Sequence, residues 1–329
     1  MNKNTIRDAL AAASRAPSVL NTQPWRFVEE TDDKGDVVAL TVRADRSRHL
    51  PVSDASGREL TVSCGAVIEF LRLALLAGGA ECFLDLLPQP SDPDLFARLR
   101  LGGPHEPDKD EVLLAGAIPS RYTERGAFDD RPVAQATRDA LQHIVAGCGA
   151  WVSFVDTATD ELNLAALLAR ADDLERMNPE YEMELAKWVH PDDDSSDGVP
   201  LSALAEDVEG RGSSYRLRDF AATNEHFATR YGPEPPPAER PLVAVIGTES
   251  DDTPAWLEAG RALARLLLRA AADGITASPM TQVIEVTSTR ARLADSLSFT
   301  GHPQVVVRMG YGHGAPKTPR RPVSETLGS

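Results

Sequence analysis

Cysteine is scarce: three residues in 329, Cys64, Cys82 and Cys148, far apart and set among apolar neighbours. An odd, scattered trio argues against a disulfide framework and fits reduced thiols in a core. The seven histidines, at 49, 105, 143, 190, 226, 302 and 313, never fall at zinc-ligand spacing, so no metal is expected. Long hydrophobic runs are missing as well. No apolar stretch reaches the roughly 18 residues that cross a bilayer, and MNKNTIRDAL at the N-terminus lacks the apolar core of a signal peptide. A cytoplasmic protein with no membrane partner is the expectation. Positive charge is short: 34 Lys and Arg stand against 50 Asp and Glu, a formal net charge of −16. Such a chain repels phosphate backbones, and with basic residues clustered only at Arg320 and Arg321 no nucleic-acid partner is expected. Neither a G-x-S-x-G elbow nor a G-x-x-x-x-G-K-[ST] loop is present, which removes the cheapest support for common hydrolase and P-loop chemistry. GYGHG at 310–314 looks like a dinucleotide loop only until Pro316 and Pro319, where its helix would have to begin; it reads as a turn.

What is present is the composition of a soluble globular protein, 42% hydrophobic and 26% charged, long enough for two domains. Periodicity predicts a helix over 5–15, a strand over 37–43, a helix over 59–78 and a strand over 82–87. The 59–78 helix is apolar on nearly every side and must be buried on most of them. After a turn-rich segment at 88–111 the plan restarts: helix 133–146, strand 151–155, helix 160–176, strand 242–247, helices 255–272 and 289–297, strand 304–309. The restart is also visible in the letters. ALAAASRAPSVLNTQPWRFV at 9–28 has a shortened echo in ALQHIVAGCGAWVSFV at 140–155, and LRLALLAGGA at 71–80 is echoed by LLLRAAADGI at 266–275. Two echoes in the same order suggest a duplicated domain, with a first half at 1–111 and a second at 112–329. The second half carries a long segment containing HPDDDSSDG and GPEPPPAERP, with enough apolar residues to pack; about 190–235 reads as a lid.

Residues 16–27, APSVLNTQPWRF, must form a loop, because Pro17 and Pro24 each fix φ and remove a donor. Ser18, Asn21 and Gln23 supply it with hydroxyl and amide groups, which can serve a polar planar ligand or the loop's own backbone turns. Trp25 begins the following strand and reads as core.

Four ordered segments together resemble the FMN-dependent nitroreductase superfamily: APSVLNTQPWRF, IPSRYTERGAF at 118–128, DGITASPMTQVIE at 273–285, and HPQVVVRMGYGHGAPKTPRRPVSETL at 302–327. Within it the chain looks like the duplicated, actinobacterial, dormancy-associated Acg subgroup. The resemblance covers nearly the whole length. It implies an α+β nitroreductase-like fold in which a tandem pseudo-repeat mimics the family homodimer, so that the chain works as a monomer. In such dimers one subunit supplies a phosphate grip, the turn beside flavin N5 and a C-terminal basic residue, while the other supplies the P-S-x-x-N-x-Q-P-W loop. Here the first half has the loop but no grip, and the second has the grip but is five residues shorter between Leu141 and Trp151 than the first is between Leu10 and Trp25. One intact composite FMN site and one decayed site follow.

The resemblance assigns the phosphate to Arg121, Thr123, Arg125, Arg320 and Arg321, since guanidinium forks suit phosphate oxygens. It assigns the ring edge and polyol to Ser18, Asn21, Gln23 and Pro24. The N5 hydrogen bond falls on the backbone of Thr281 and Gln282, with Pro279 and Met280 lining the ring. The family turn usually carries acidic and glycine residues, and this chain departs from it there. No catalytic side chain is required, because the flavin carries the chemistry. The implied activity is reduction of nitroaromatic or quinone-type acceptors by NAD(P)H; the alternative is an FMN-storing protein whose lid suppresses turnover.

Overall fold

The computed structural model describes residues 3–191, 194–204, 215, 218, 239–297, 299–314 and 316–328. The first half runs α1 (Lys3–Ala13), β1 (Trp25–Thr31), β2 (Val37–Ala44), α2 (Arg58–Ala77), β3 (Ala80–Leu86) and β4 (Leu95–Pro104). Helices α3 (Lys109–Ala117) and α4 (Gln135–Val145) lead to β5 (Trp151–Val155). An insertion follows, with α5 (Ala158–Arg176), α6 (Pro179–Ala186) and a short parallel pair, β6 (Val189–His190) and β7 (Val199–Pro200). The chain closes with β8 (Leu242–Thr248), α7 (Thr253–Ala272), β9 (Thr276–Pro279), α8 (Gln282–Glu285), α9 (Thr287–Ser296), β10 (His302–Gly310) and α10 (Val323–Thr326).

The two four-stranded sheets have the orders β1-β2-β4-β3 and β5-β8-β10-β9, antiparallel throughout. Each therefore places its strands first, second, fourth, third, with one long helix between the second and third strands. The fold is an α+β tandem pseudo-repeat. Its axis of near-symmetry passes where α2 crosses α7. Gly65 and Gly260, which stand 195 positions apart as do Leu71 and Leu266, meet at that crossing. A Cβ on Gly65 would run into the Leu257 carbonyl, and one on Gly260 into the Val62 carbonyl, so only hydrogen side chains let the backbones approach this closely. Nearby, the wholly buried Glu69 accepts from Arg72 (3.1 Å), Arg261 (2.9 Å) and Arg265 (2.8 Å). Burial opposes its charge, but the three guanidiniums hold its carboxyl below the usual range. Helix α2 is long and apolar enough by composition to cross a bilayer, at 20 residues and mean hydropathy 1.8, but it is the central buried helix of the core.

The tail of the second half returns to the first. Leu327 bridges Phe27 in parallel, and the Gly328 N–H donates to the Phe27 carbonyl at 2.6 Å, closing the outer edge of β1.

The sequence expectation for 88–111 changes. The turn-rich reading of 88–111 misses β4, an inner strand, because Arg98 and Arg100 interrupt its apolar pattern while their side chains pair with Glu30 and Asp85. It also misses the start of α3, which Asp108 and Glu111 nucleate as a capping box. The 111/112 division consequently falls inside a helix. The lid expected at about 190–235 lies mostly outside the described residues; 190, 191, 194–204, Tyr215 and Arg218 are inside them.

Candidate functional site

The loop from Pro17 to Pro24 is wound tighter than its sequence announces. Val19–Asn21 form a 3-10 turn, and Leu20 (φ 47), Asn21 (φ 54) and Gln23 (φ 49) all lie in the left-handed region that side chains disfavour. Local bonds hold the strain. The Ser18 hydroxyl accepts from the Gln23 N–H at 2.9 Å, Thr22 Oγ1 donates to the Val19 carbonyl at 2.9 Å, and Ser63 of α2 accepts from the Val19 N–H at 3.3 Å. The Pro24 carbonyl accepts from the Asp45 N–H (3.0 Å) and the Cys64 thiol (3.3 Å). Trp25 is fully buried, as its reading as core requires.

Sequence reasoning reserved the two amides for a ligand, and the fold spends much of them internally. Asn21 Nδ2 donates to the Gly198 carbonyl (2.9 Å) and the Pro319 carbonyl (3.1 Å). Gln23 Nε2 donates to the Ser196 carbonyl (3.0 Å), and Gln23 Oε1 accepts from the Arg321 N–H (2.9 Å). Gln23 is a scaffold residue, stapling the loop to the insertion on one side and to the C-terminal tail on the other. Arg48 reinforces the clamp by bonding the Thr22 carbonyl and Asp197 while stacking 5.2 Å from the Trp188 ring.

Beside the loop, guanidiniums converge from both halves. Arg15 lies in the turn after α1, Arg121 and Arg125 follow α3, and Arg320 lies in the tail. The Arg15 carbonyl accepts from Arg121 Nη2 (3.1 Å) and Arg320 Nη2 (3.5 Å), while its own side chain donates to the Ile118 and Pro119 carbonyls. Arg15, Arg121 and Arg320 form no ion pair with a carboxylate among the described residues, and the Nε atoms of Arg121 and Arg320 are buried without a partner. Burial, then repulsion from Arg15 and Arg125, pushes Arg121 down to about 10; burial and its three arginine neighbours push Arg320 well below its usual value. Arg125 is also lowered to about 10, by burial, with Glu124 opposing. Sequence reading overlooked Arg15. Its only signal is its place directly before the A-P-S turn.

Thr123 forms a parallel bridge with Ala277, and the Glu124 N–H donates to the Ala277 carbonyl (2.9 Å), so the arginine segment runs alongside β9. That strand leads into the turn Pro279–Gln282. Pro279 is half-buried at the end of β9, but Met280, expected to line a ring, is packed into the second core cluster with Val283 and Ile284. Its N–H donates to the Val306 carbonyl (2.8 Å). Thr281 Oγ1 accepts from Arg218 of the insertion (3.2 Å), and Arg218 also grips Glu285 (2.6 and 2.7 Å). Arg321 is not part of the arginine convergence. It is buried against the first half, donating to the Gln23 carbonyl (3.3 Å) and the Glu325 carbonyl (2.9 Å), 3.9 Å from Asp45, because the extended tail turns consecutive side chains to opposite sides.

No family model matches the sequence. Across 331 residues, 98% of this chain and 95% of the relative, it is 30% identical to a Mycobacterium tuberculosis protein provisionally named NAD(P)H nitroreductase acg. The chain belongs to the Acg-like group of the nitroreductase superfamily. A second M. tuberculosis protein, also provisionally named an NAD(P)H nitroreductase, is 31% identical over 328 residues, 98% of this chain and 91% of the relative. Among solved structures, a provisionally named nitroreductase of Anabaena variabilis aligns with a TM-score of 0.48 and 10% identity, covering 95% of this chain and 90% of that one. A nitroreductase of Desulfitobacterium hafniense with bound FMN aligns with a TM-score of 0.41 and 12% identity, covering 66% of this chain and 97% of that one.

In this chain the two halves diverge at the matched loop position. Glu258 of α7 stands 195 positions after Ser63, where the first half anchors its loop. The second half has instead a cavity of about 440 Å³ between Gly149–Trp151, Thr248–Ser250 and Glu258.

Proposed function

We propose that the chain is an FMN-binding oxidoreductase of nitroreductase type, with one composite FMN site made by both halves. The observation that carries this reading is the gathering of Arg15, Arg121, Arg125 and Arg320 in a protein of net charge −16, with buried Nε donors left over on Arg121 and Arg320. Four crowded guanidiniums, two of them with spare Nε donors, match a doubly charged phosphate, which would offset their mutual repulsion and take bidentate bonds. The Pro279–Gln282 turn and the Ser18–Asn21 loop would hold the ring, Asn21 through the acceptor oxygen that its two N–H bonds leave over. FMN bound there supplies hydride transfer at N5, with NAD(P)H as donor and a nitroaromatic or quinone-type compound as acceptor. On this reading the second site is lost, its loop position empty, and the duplicated chain acts as a cytoplasmic monomer.

A second reading, FMN storage under a cover, is favoured by one observation: the insertion reaches both sides of the site. Its Ser196 and Gly198 carbonyls sit on Gln23 and Asn21, and its Arg218 sits on Thr281. Anaerobic mixing of the FMN-loaded protein with NADPH, NADH and dithionite separates the two. Fast, saturable bleaching by a nicotinamide establishes the oxidoreductase. Bleaching by dithionite alone establishes the store, and a preparation that takes up no FMN removes both.

A further inference from the structure

Gln282 opens α8 on the turn that follows β9, and only 2% of it is exposed. Its amide nitrogen is buried and has no hydrogen-bond partner among the described residues. The rest of the turn is accounted for. Met280, Val283 and Ile284 fill the core, Thr281 accepts from Arg218, and Glu285 pairs with Arg218. A buried primary amide carries two donors, and leaving them unmade destabilises the fold in a way that a leucine of similar volume would not. At a position flanked by residues that pack well, an orphaned amide points to an acceptor that the described residues do not supply.

Resting on the FMN reading above, we propose that Gln282 donates its side-chain amide to the isoalloxazine ring edge, adding a side-chain donor to the backbone N–H groups of the turn. The ring's pyrimidine side presents carbonyl oxygens and an unprotonated nitrogen, all acceptors, and the amide is a neutral donor that meets them without introducing charge. Gln282 is thereby a flavin-contacting residue particular to this turn.

The idea makes opposite predictions for the two states of the protein, which a merely structural glutamine would not. Gln282→Leu and Gln282→Met keep the volume and remove the donors. In FMN-free protein each is expected to leave the melting temperature unchanged or raise it, because an unmet buried donor has been removed. In FMN titrations followed by flavin fluorescence quenching, each is expected to weaken the dissociation constant roughly five- to tenfold, the loss of one neutral hydrogen bond. Variants that bind FMN within twofold of wild type overturn the inference while leaving the FMN site standing. So does a parallel loss of FMN-free stability and of affinity, which would mean that the amide has a partner in the fold. Wild-type protein that binds no FMN overturns the inference together with the reading beneath it.

Discussion

Removing Arg121 should make the FMN-free protein no less stable and its phosphate grip much weaker. The residue is 6% exposed, and its pKa is pushed down to about 10 by burial and then by Arg15 and Arg125. At neutral pH the group is charged in both folded and unfolded chains, so the whole cost of holding it there, on the order of 3 kcal/mol, is present. Against this, Arg121→Met gives up one bond to the Arg15 carbonyl, worth about 1 kcal/mol. The net expectation is a stabilisation of about 0 to 2 kcal/mol without ligand. With FMN the sign reverses: a charge-assisted bond to phosphate is lost, about 1.5 to 3 kcal/mol, or roughly tenfold to more than hundredfold in dissociation constant. The assay is thermal melting in chloride and in inorganic phosphate at equal ionic strength, followed by titration with FMN and with riboflavin, which has no phosphate. Phosphate should raise the wild-type melting point more than the variant's, and riboflavin should bind both alike. Equal FMN affinity in the two proteins, or a variant that melts earlier than wild type in chloride, refutes the account of the cluster as an unfilled anion site.

Glu175 should make stability fall as pH rises. Burial, chiefly, and the neighbouring Glu285 push its carboxyl up to about 8 against the opposing pull of Arg218, so between about pH 4.5 and 8 the folded chain holds a proton that the unfolded chain has released. Urea unfolding should lose up to a few kcal/mol across that window in wild type and less in Glu175→Gln. Gly65→Ala or Gly260→Ala should cost several kcal/mol or prevent folding, since each Cβ meets backbone rather than a movable side chain; normal expression and melting of both would refute the close crossing of α2 and α7. Asn21→Ala should release the 196–198 segment from the loop, read as faster proteolysis within 194–200, with little change in melting point.

Much of the fold was legible because burial and periodicity coincide: α2, α7 and β8 are buried along their readable faces. β4 was not, since its alternation is carried by arginines whose neutralising partners, Glu30 and Asp85, come from other strands. The site was legible by residue type and less so by role. Arginines can be nominated from sequence, but whether Arg320 or Arg321 turns toward the cluster depends on how the tail lies across β1. Gln23 has the donors and acceptors of a ligand-binding residue, and only the positions of Ser196 and Arg321, each more than 170 residues away in sequence, assign it to the scaffold. Arg15 has no motif to mark it.

The return of the tail to β1 also sets an order of events during synthesis. Arg15 leaves the ribosome 305 residues before Arg320, the partner that donates to its carbonyl. The first sheet can form early, yet its outer edge stays open and the Arg15 carbonyl short of a donor until residues 320–328 emerge. On the FMN reading the cluster of guanidiniums is complete only once Arg320 has emerged, and a nascent chain stalled just short of it would hold both sheets but lack one of the four.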